Sequence, residues 1–182
     1  MQPYVIGIDI GTGSTKALAI DGSGQVLSSA QQHYSTAHPQ PGYAEQNPEE
    51  IWTAFVQCVK EVVDERGAPP AVISLSSCMH SLMAVDARGV ALTPLLNWAD
   101  ARSESVVVAL RAAGDAESLY AATGTPIHSM TPLSKIIWYR EHDKEVYNKA
   151  AKWISIKEYL WYQLFGVFEV DISVAASHGL LS

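Results

Sequence analysis

The sequence has little cysteine, a shortage of basic residues and no long apolar run, and each shortage argues against a class of protein. Only two cysteines, Cys58 and Cys78, occur in 182 residues, too few for a disulfide framework, which predicts reduced thiols in a cytoplasmic protein. Twelve basic residues stand against 19 acidic ones, a net charge of −7, which argues against nucleic-acid or anionic-membrane partners. The apolar runs, such as residues 106–110, are far shorter than the roughly 20 residues that a membrane helix needs.

The composition that remains is that of an ordinary globular domain. Apolar residues make up 48% of the chain and charged residues 17%, and the length suits about one domain that can bury a core. The first basic residue is Lys16, and Asp9 interrupts the only N-terminal apolar run, so no signal peptide is expected.

The pattern of apolar and turn residues predicts strands first, and then strands that alternate with helices. The strands are expected at residues 4–10, 16–21, 25–34, 71–77, 82–86, 153–155 and 167–171, the first three forming an antiparallel meander. The helices are expected from Pro48 after the cap Asn47, from the cap Asp100 to residue 113, at 115–124, from Pro132 with Leu133, Ile136 and Ile137 facing inward, and from the capping box Ser155/Glu158 to residue 165. This order predicts an α/β domain with a mixed sheet.

The most informative segment is GIDIGTGSTK at residues 7–16, which is similar to two phosphate-binding loops without matching either. A P-loop closes with Gly-Lys-Ser/Thr, and a dinucleotide-binding loop needs a third glycine where Lys16 stands. Both of those loops lead into a helix, whereas only residues 16–20 lie before the turn at Asp21. Such a short segment suits a hairpin strand, so residues 11–15 are expected to form the tip of a hairpin.

A hairpin tip of this composition could hold an anion. Gly11 and Gly13 would let main-chain amides approach the anion closely. Side-chain donors are supplied by Thr12, Ser14, Thr15 and Lys16. Asp9 needs a partner beside an apolar sheet, and that partner would be Lys16 or a hard cation such as Mg²⁺. The residues alone leave open a second interpretation, a tight turn with an incidental Asp–Lys pair.

Five further segments, taken in order with this motif, carry a resemblance that spans residues 4–182. They are AEQNPEEIW at 44–52, SSCMHSLMAVD at 76–86, NWADARS at 97–103, TGTPIHSMTPLSKIIW at 123–138 and WISIKEYL at 153–160. Together the six segments resemble the N-terminal part of the FGGY-family carbohydrate kinases, which belong to the actin/Hsp70/hexokinase-like ATPases. Within that family, the segments around Met79–His80 and residues 123–138 look most like gluconate kinases, with xylulose kinases as the alternative.

The resemblance implies a mixed-sheet, ribonuclease H-like ATPase lobe that uses ATP and Mg²⁺. The ATP phosphates would be held by Gly11, Thr12, Gly13, Ser14, Thr15 and Lys16. Asp9 would act as a catalytic group on the metal side, while Met79 and His80 would line the pocket for a sugar or sugar acid. Asp100 and Arg102 would lie near the same cleft. The local alternatives are a satisfied loop histidine at His80, a helix cap at Asp100 and a surface salt bridge at Arg102.

The resemblance also sets expectations for the chain as a whole. Because members of the family are much longer, with the general base and the adenosine-binding segments in later parts, residues 1–182 are expected to be the N-terminal part of the first, sugar-binding lobe and inactive alone. Apolar surface that the remainder would cover should be exposed and favour self-association. If 182 residues were the natural length, a non-catalytic sugar- or phosphate-binding module would be the alternative. Trp98 and Trp138 are expected in the core, and His128 could approach substrate.

Overall fold

The structure, a computed structural model, describes residues 3–181 and divides into two compact units. The first unit contains the chain up to Ser35 together with Asn47–Cys78, and the second contains Thr36–Gln46 together with the chain from Met79 onwards. The strands are β1 (Tyr4–Ile10), β2 (Ser14–Asp21), β3 (Val26–His33), β4 (Glu45–Gln46), β5 (Val72–Ser77), β6 (Met83–Val85), β7 (Leu95–Leu96) and β8 (Lys152–Ile154). The helices are α1 (Pro48–Arg66), α2 (Glu104–Ala113), α3 (Asp115–Thr123), α4 (Pro132–His142), α5 (Lys144–Lys149), α6 (Ile156–Phe165) and α7 (Ile172–Ala176). No helix in the described part of the chain is both long enough and apolar enough to cross a membrane.

The first unit is built on a four-stranded mixed sheet with the strand order β3-β2-β1-β5. β1, β2 and β3 form the predicted antiparallel meander, and β5 pairs parallel to β1, so the predicted mixed sheet is confirmed. The period of two along β1 buries Ile6, Ile8 and Ile10 on one face and leaves Val5 and Asp9 on the other.

Helix α1 begins and ends where the sequence indicates. The Asn47 side chain accepts a hydrogen bond from the Glu49 amide at 3.0 Å, and Gly67 ends the helix in the left-handed conformation. The side chains that it buries recur at helical spacing and are Ile51, Phe55, Cys58 and Val62. They pack against β2 and β3, which closes the core of the first unit.

The edge strand β5 remains open on both faces. Val72 is 58% exposed, and Ile73, whose side chain points to the opposite face, is 43% exposed, because α1 packs mainly against β2 and β3. Val5 and Leu18 add exposed apolar area on the outer face of the sheet. The described residues therefore include exposed apolar surface, whereas its cover by further chain and self-association both stay predictions.

The second unit combines two small antiparallel sheets, β4–β7 and β6–β8, with helices α2 to α7. Its core includes Met83, Leu95 and Leu160, which are fully buried. The predicted capping box of α6 is confirmed, since the Ser155 hydroxyl accepts from the Glu158 amide at 3.3 Å and the Glu158 carboxylate accepts from the Ser155 amide at 2.7 Å.

The predicted role of Asp100 as a helix cap is wrong. Helix α2 begins at Glu104 and is preceded by Ser103. The Asp100 carboxylate instead accepts hydrogen bonds from the Ala44 amide at 2.8 Å and from the Arg102 guanidinium at 2.9 Å. The Arg102 amide also donates to it at 3.3 Å, so its oxygens are occupied by contacts to residues that precede α2.

The strand predicted at residues 167–171 is absent from the described structure. Asp171 caps α7, where its carboxylate accepts from the Ser173 amide at 3.1 Å and the Val174 amide at 3.2 Å. Phe168 stacks on the Tyr162 ring of α6 with the ring centroids 4.2 Å apart. Cap formation and ring packing therefore outweigh the strand propensity of this segment.

Two packing predictions in the second unit also need correction. In α4 the fully buried side chains include Ser134 and Lys135, whereas Leu133, Ile136 and Ile137, which were expected to face inward, are half-buried. Trp98 is 51% exposed and does not lie in the core. Trp138 is half-buried and stacks on His142, with the ring centroids 4.9 Å apart.

Candidate functional site

The glycine-rich segment forms the tip of a hairpin, as predicted. Residues 11–13 connect β1 to β2, and the Gly11 amide donates to the Ser14 carbonyl at 3.0 Å. A Cβ atom built on Gly11 would lie 3.2 Å from that carbonyl oxygen, so glycine suits this close approach best.

Tyr34 holds this tip from the end of β3. Its hydroxyl donates to the Gly11 carbonyl at 2.5 Å, and its amide donates to the Gly13 carbonyl at 3.3 Å. Burial is the main reason that the pKa of Tyr34 is raised to about 12, so the hydroxyl keeps its proton at neutral pH and remains a donor. The tip is therefore fixed at two carbonyls before any ligand binds.

Asp9 lies on the exposed face of the sheet, between two polar neighbours. In the strand register, Asp9 stands opposite Lys16 on β2 and opposite Ser76 on β5. These side chains help to line a shallow pocket of about 360 Å³ on that face, together with Gly7 and Ser74. No salt bridge joins Asp9 to Lys16 among residues 3–181, so the lysine does not occupy the carboxylate and the interpretation as an incidental ion pair loses support.

The hydroxyl groups of the motif divide between the two faces. Thr15 is fully buried on the α1 side of β2, so its hydroxyl does not reach the outer face, and its role in holding ATP phosphates stays a prediction. Ser14 is half-buried, and its hydroxyl accepts from the Gln31 side-chain amide at 2.9 Å while keeping its own hydrogen to donate. Thr12 is half-buried and Gly13 is exposed at the tip.

His80 follows β5 in an unusual backbone conformation. Its φ is 60°, and among residues 3–181 it is the one non-glycine residue with a positive φ. This left-handed conformation costs an L-residue with a Cβ roughly 1–2 kcal/mol. Such strained residues cluster at functional sites because surrounding contacts hold them there.

The imidazole of His80 is oriented by a main-chain contact. Its Nδ1 lies 3.1 Å from the Ser177 carbonyl oxygen. Since a carbonyl only accepts, Nδ1 carries the hydrogen, and in the neutral ring Nε2 presents a lone pair. Burial lowers the pKa of His80, the bond to Ser177 opposes that shift, and the nearby Lys135 and His128 add to the lowering. The neutral ring is therefore favoured near pH 7.

The other residues near His80 have differing exposure. Met79 is 40% exposed, and His128 is exposed with its Nδ1 accepting from the Met130 amide at 3.1 Å. His178 is buried. Within the described part of the chain, no group of three or more His, Cys, Asp or Glu residues is arranged to hold a metal ion.

Asp100 and Arg102 form a buried ion pair, and their place near the sugar cleft stays a prediction. Their side chains are 0% and 4% exposed. The guanidinium binds both Asp100 oxygens at 2.9 Å and Glu45 at 2.6 Å, and it lies 3.9 Å from the Tyr43 ring centroid. Burial lowers the pKa of Arg102, but the bonds to Asp100 and Glu45 outweigh burial and the pKa is raised. The salt-bridge alternative is therefore right in kind, although the pair is buried and not on the surface.

The sequence reasoning missed two residues that hold these sites, Tyr34 and Lys135. Tyr34 was expected only as the end of a strand. Lys135 was not expected to be buried, yet it is fully buried in α4 and binds the His80 carbonyl. A buried lysine needs polar partners, but the sequence gives no local pattern that identifies main-chain carbonyls so distant along the chain.

In the first unit the antiparallel hairpin β1–β2 lies between β3 and the parallel strand β5. This is the ribonuclease H-like arrangement of the actin/Hsp70/hexokinase-like ATPases, and the fold defines that class of protein. The chain belongs to the FGGY family of carbohydrate kinases, because the model of that family's N-terminal domain matches residues 4–182.

Individual relatives agree with this assignment. A gluconokinase from Bacillus subtilis (strain 168) is 40% identical over 183 residues, which cover 100% of this chain and 36% of the relative. A xylulose kinase from Staphylococcus xylosus is 33% identical over 174 residues, which cover 95% of this chain and 36% of the relative. The crystal structure of a gluconate kinase from Lactobacillus acidophilus has a TM-score of 0.97 at 34% identity and covers 100% of this chain and 37% of that one. The chain thus spans little more than a third of the length of these relatives.

Proposed function

We propose that the intact protein is an ATP-dependent kinase that phosphorylates a hydroxyl of gluconate, and that residues 1–182 are the N-terminal part of its first, sugar-binding lobe. The observation that carries the proposal is the exposed Asp9 beside Lys16 at the base of a rigid glycine tip, in a chain 40% identical throughout to a gluconokinase. Its partners would be small molecules, ATP and a sugar acid. A reducing, cytoplasmic setting is part of the proposal, since neither Cys58 nor Cys78 forms a disulfide within residues 3–181.

The outer face of the hairpin has a carboxylate ligand for magnesium, and it has a cation and hydrogen-bond donors for a triphosphate. Asp9 offers hard carboxylate oxygens, and Lys16 offers a cation on the neighbouring strand. The Gly11 amide is already used, so the exposed Gly13 amide and the Ser14 hydroxyl are the groups that would contact phosphate oxygens. When bound, magnesium ATP would supply the phosphoryl group for transfer, and its metal ion would neutralise much of the phosphate charge. The residues present therefore fit magnesium ATP.

The residues near the end of β5 would contact the sugar acid. With Nδ1 bound to Ser177, His80 can accept a hydrogen bond from a sugar hydroxyl through Nε2. Met79, which is 40% exposed, would add an apolar contact. Asp100 and Arg102 would act as scaffold and not as ligands, because their charged groups satisfy one another. The general base is expected outside these residues.

The proposal is tested by measuring coupled kinase activity of the intact protein on gluconate, xylulose, glycerol and ribulose. We expect the highest kcat/KM on gluconate. Activity on none of the four would contradict the proposed function. Residues 1–182 alone should show no turnover, because the general base is expected elsewhere.

Xylulose is the second candidate substrate, supported by the xylulose kinase from Staphylococcus xylosus at 33% identity. A higher kcat/KM on xylulose than on gluconate would make xylulose the substrate in place of gluconate and would leave the kinase proposal intact. The two sugars differ in charge, since gluconate carries a carboxylate and xylulose carries none. A dependence of KM on salt for gluconate alone would point to a charged contact.

A further inference from the structure

Lys135 is a buried lysine whose ammonium group binds the main chain. Its side chain lies in α4 and is fully buried. Nζ donates to the His80 carbonyl at 3.0 Å and to the Asn97 carbonyl at 2.6 Å. Burying an ammonium group is costly unless it is hydrogen-bonded, so these contacts must be maintained for the lysine to be tolerated.

The two carbonyls belong to two turns. His80 lies in the left-handed turn after β5, with φ 60°. Asn97 begins a second turn, in which its side chain accepts from the Ala99 amide at 2.9 Å and its carbonyl also accepts from the Asp100 amide at 3.2 Å. Lys135 therefore ties the strained turn at His80 to the turn that leads into the buried ion pair.

His80 is fixed both at its main chain and at its side chain. Lys135 binds its carbonyl, and the Ser177 carbonyl binds its ring at Nδ1. With these two points fixed, the backbone twist and the ring direction are both set. The remaining ring atom, Nε2, is then aimed in one direction.

We propose that Lys135 is a positioning residue, which holds His80 in its left-handed conformation through the carbonyl and thereby fixes the direction of the imidazole Nε2. The part of the inference that concerns sugar binding rests on the proposed function, whereas the positioning itself does not. Lys135 touches neither phosphate nor sugar in this assignment.

Because Lys135 is charged, its effect on the pKa of His80 reports how close its ammonium group lies to the imidazole ring. The titratable groups of residues 3–181 that interact with His80 are Lys135, His128 and His178, and each is basic. Burial and the positive neighbours lower the pKa of His80, while the bond to Ser177 opposes them. Removal of the lysine charge should therefore raise the pKa of His80.

The test is a pH titration of the His80 ring by NMR in the intact protein labelled at the histidine ring carbons. Loss of one resonance in His80→Gln assigns the signal. In Lys135→Met we expect the pKa of His80 to rise, while Lys135→Arg keeps it low because the charge is retained. The matched control is Lys144→Met, which removes an exposed charge at the start of α5 and should leave the titration unchanged.

Kinetics add a second readout on gluconate. We expect Lys135→Met to raise KM about tenfold, the size of one lost hydrogen bond, with kcat falling less and with partial rescue in Lys135→Arg. If Lys135→Met does not fold, Lys135→Gln gives the same pKa comparison, because it is uncharged but retains a donor.

An unchanged His80 titration in a folded, uncharged variant overturns the positioning role, whatever the substrate. Unchanged KM beside a raised pKa would overturn the part of the inference that concerns sugar binding, since the direction of Nε2 would then not matter for binding. Absence of gluconate kinase activity in the unsubstituted protein contradicts the proposed function alone and leaves the titration result standing.

Discussion

The hairpin tip of the first unit and the His80 turn of the second are both candidate binding sites, but they are built in different ways. The tip is made by residues that adjoin in sequence, and the contact that pins it joins Tyr34 to Gly11, 23 positions away. The His80 turn is held by residues 55 and 97 positions away, Lys135 and Ser177. A local site follows from spacing and period, whereas the second site exists only once the second unit has folded.

The difference has a physical consequence for variants. At the tip, the exposed groups can be changed without loss of core contacts, so activity should respond more than stability. In the second unit the polar groups are buried and share partners, so a change in one leaves another unsatisfied and stability should respond first.

The largest effect is expected from Arg102→Met, which leaves the fully buried Asp100 carboxylate without its charged partner. Breaking a buried ion pair from one side costs about 3–5 kcal/mol of unfolding free energy. Thermal and denaturant unfolding of the intact protein measure this loss. Arg88→Met is the control, because Arg88 lies 84% exposed in a surface pair and should change little. Equal midpoints for the two variants would refute the role of the buried pair.

Asp9→Asn should lower activity and leave folding intact. The substitution keeps the shape of an exposed side chain but removes its charge, which is the property that a magnesium-side group needs. We expect kcat on gluconate to fall about a hundredfold or more, the size of a lost electrostatic contact in a transition state. Asp64→Asn removes an exposed carboxylate from α1 and should retain full turnover. Full activity in Asp9→Asn would contradict the metal-side role.

The fold of the first unit could be predicted from sequence because its signals are local. Alternation along residues 4–10 identifies β1, and Asn47-Pro48 marks the start of α1. The mixed sheet follows from the order of the elements. The hairpin tip could be located in the same way, from glycine spacing and from a segment too short for a helix.

The second unit shows where such reasoning fails. Asp100 has the sequence context of a cap, yet an amide 56 positions away and a neighbouring guanidinium occupy its oxygens. Lys135 lies in a segment whose apolar residues suggested an inward face, yet its ammonium group reaches main-chain carbonyls and is itself buried. In both cases a long-range polar contact decides burial, and no periodicity in the sequence encodes that contact.

Tyr34→Phe tests whether the tip depends on the hydroxyl contact from Tyr34. The change removes the hydroxyl that donates to the Gly11 carbonyl and keeps the ring. We expect about 1 kcal/mol less stability and a severalfold rise in KM for ATP, with kcat nearly unchanged. Tyr120→Phe alters an exposed ring in α3 and serves as the control. An unaltered KM for ATP would show that the tip holds its shape without Tyr34.

The smallest effect is a pH dependence confined to the second unit. The pKa of His80 and that of His178 are both lowered from 6.5, mainly by burial. In the unfolded chain these two histidines bind protons at a higher pH than they do in the folded unit. Their contribution to stability is therefore complete above pH 6.5 and is lost as the pH falls towards their folded-state pKa values.

Amide hydrogen exchange resolves this effect by region, once rates are corrected for intrinsic pH dependence. Between pH 7.5 and pH 5.5, protection in α4 and α7 should fall, while protection in β1 and β2 should change less. In His178→Gln the fall should be smaller, because one of the two depressed histidines is gone. Equal losses of protection in β1 and α7 would mean that His80 and His178 do not set the acid limit of the second unit.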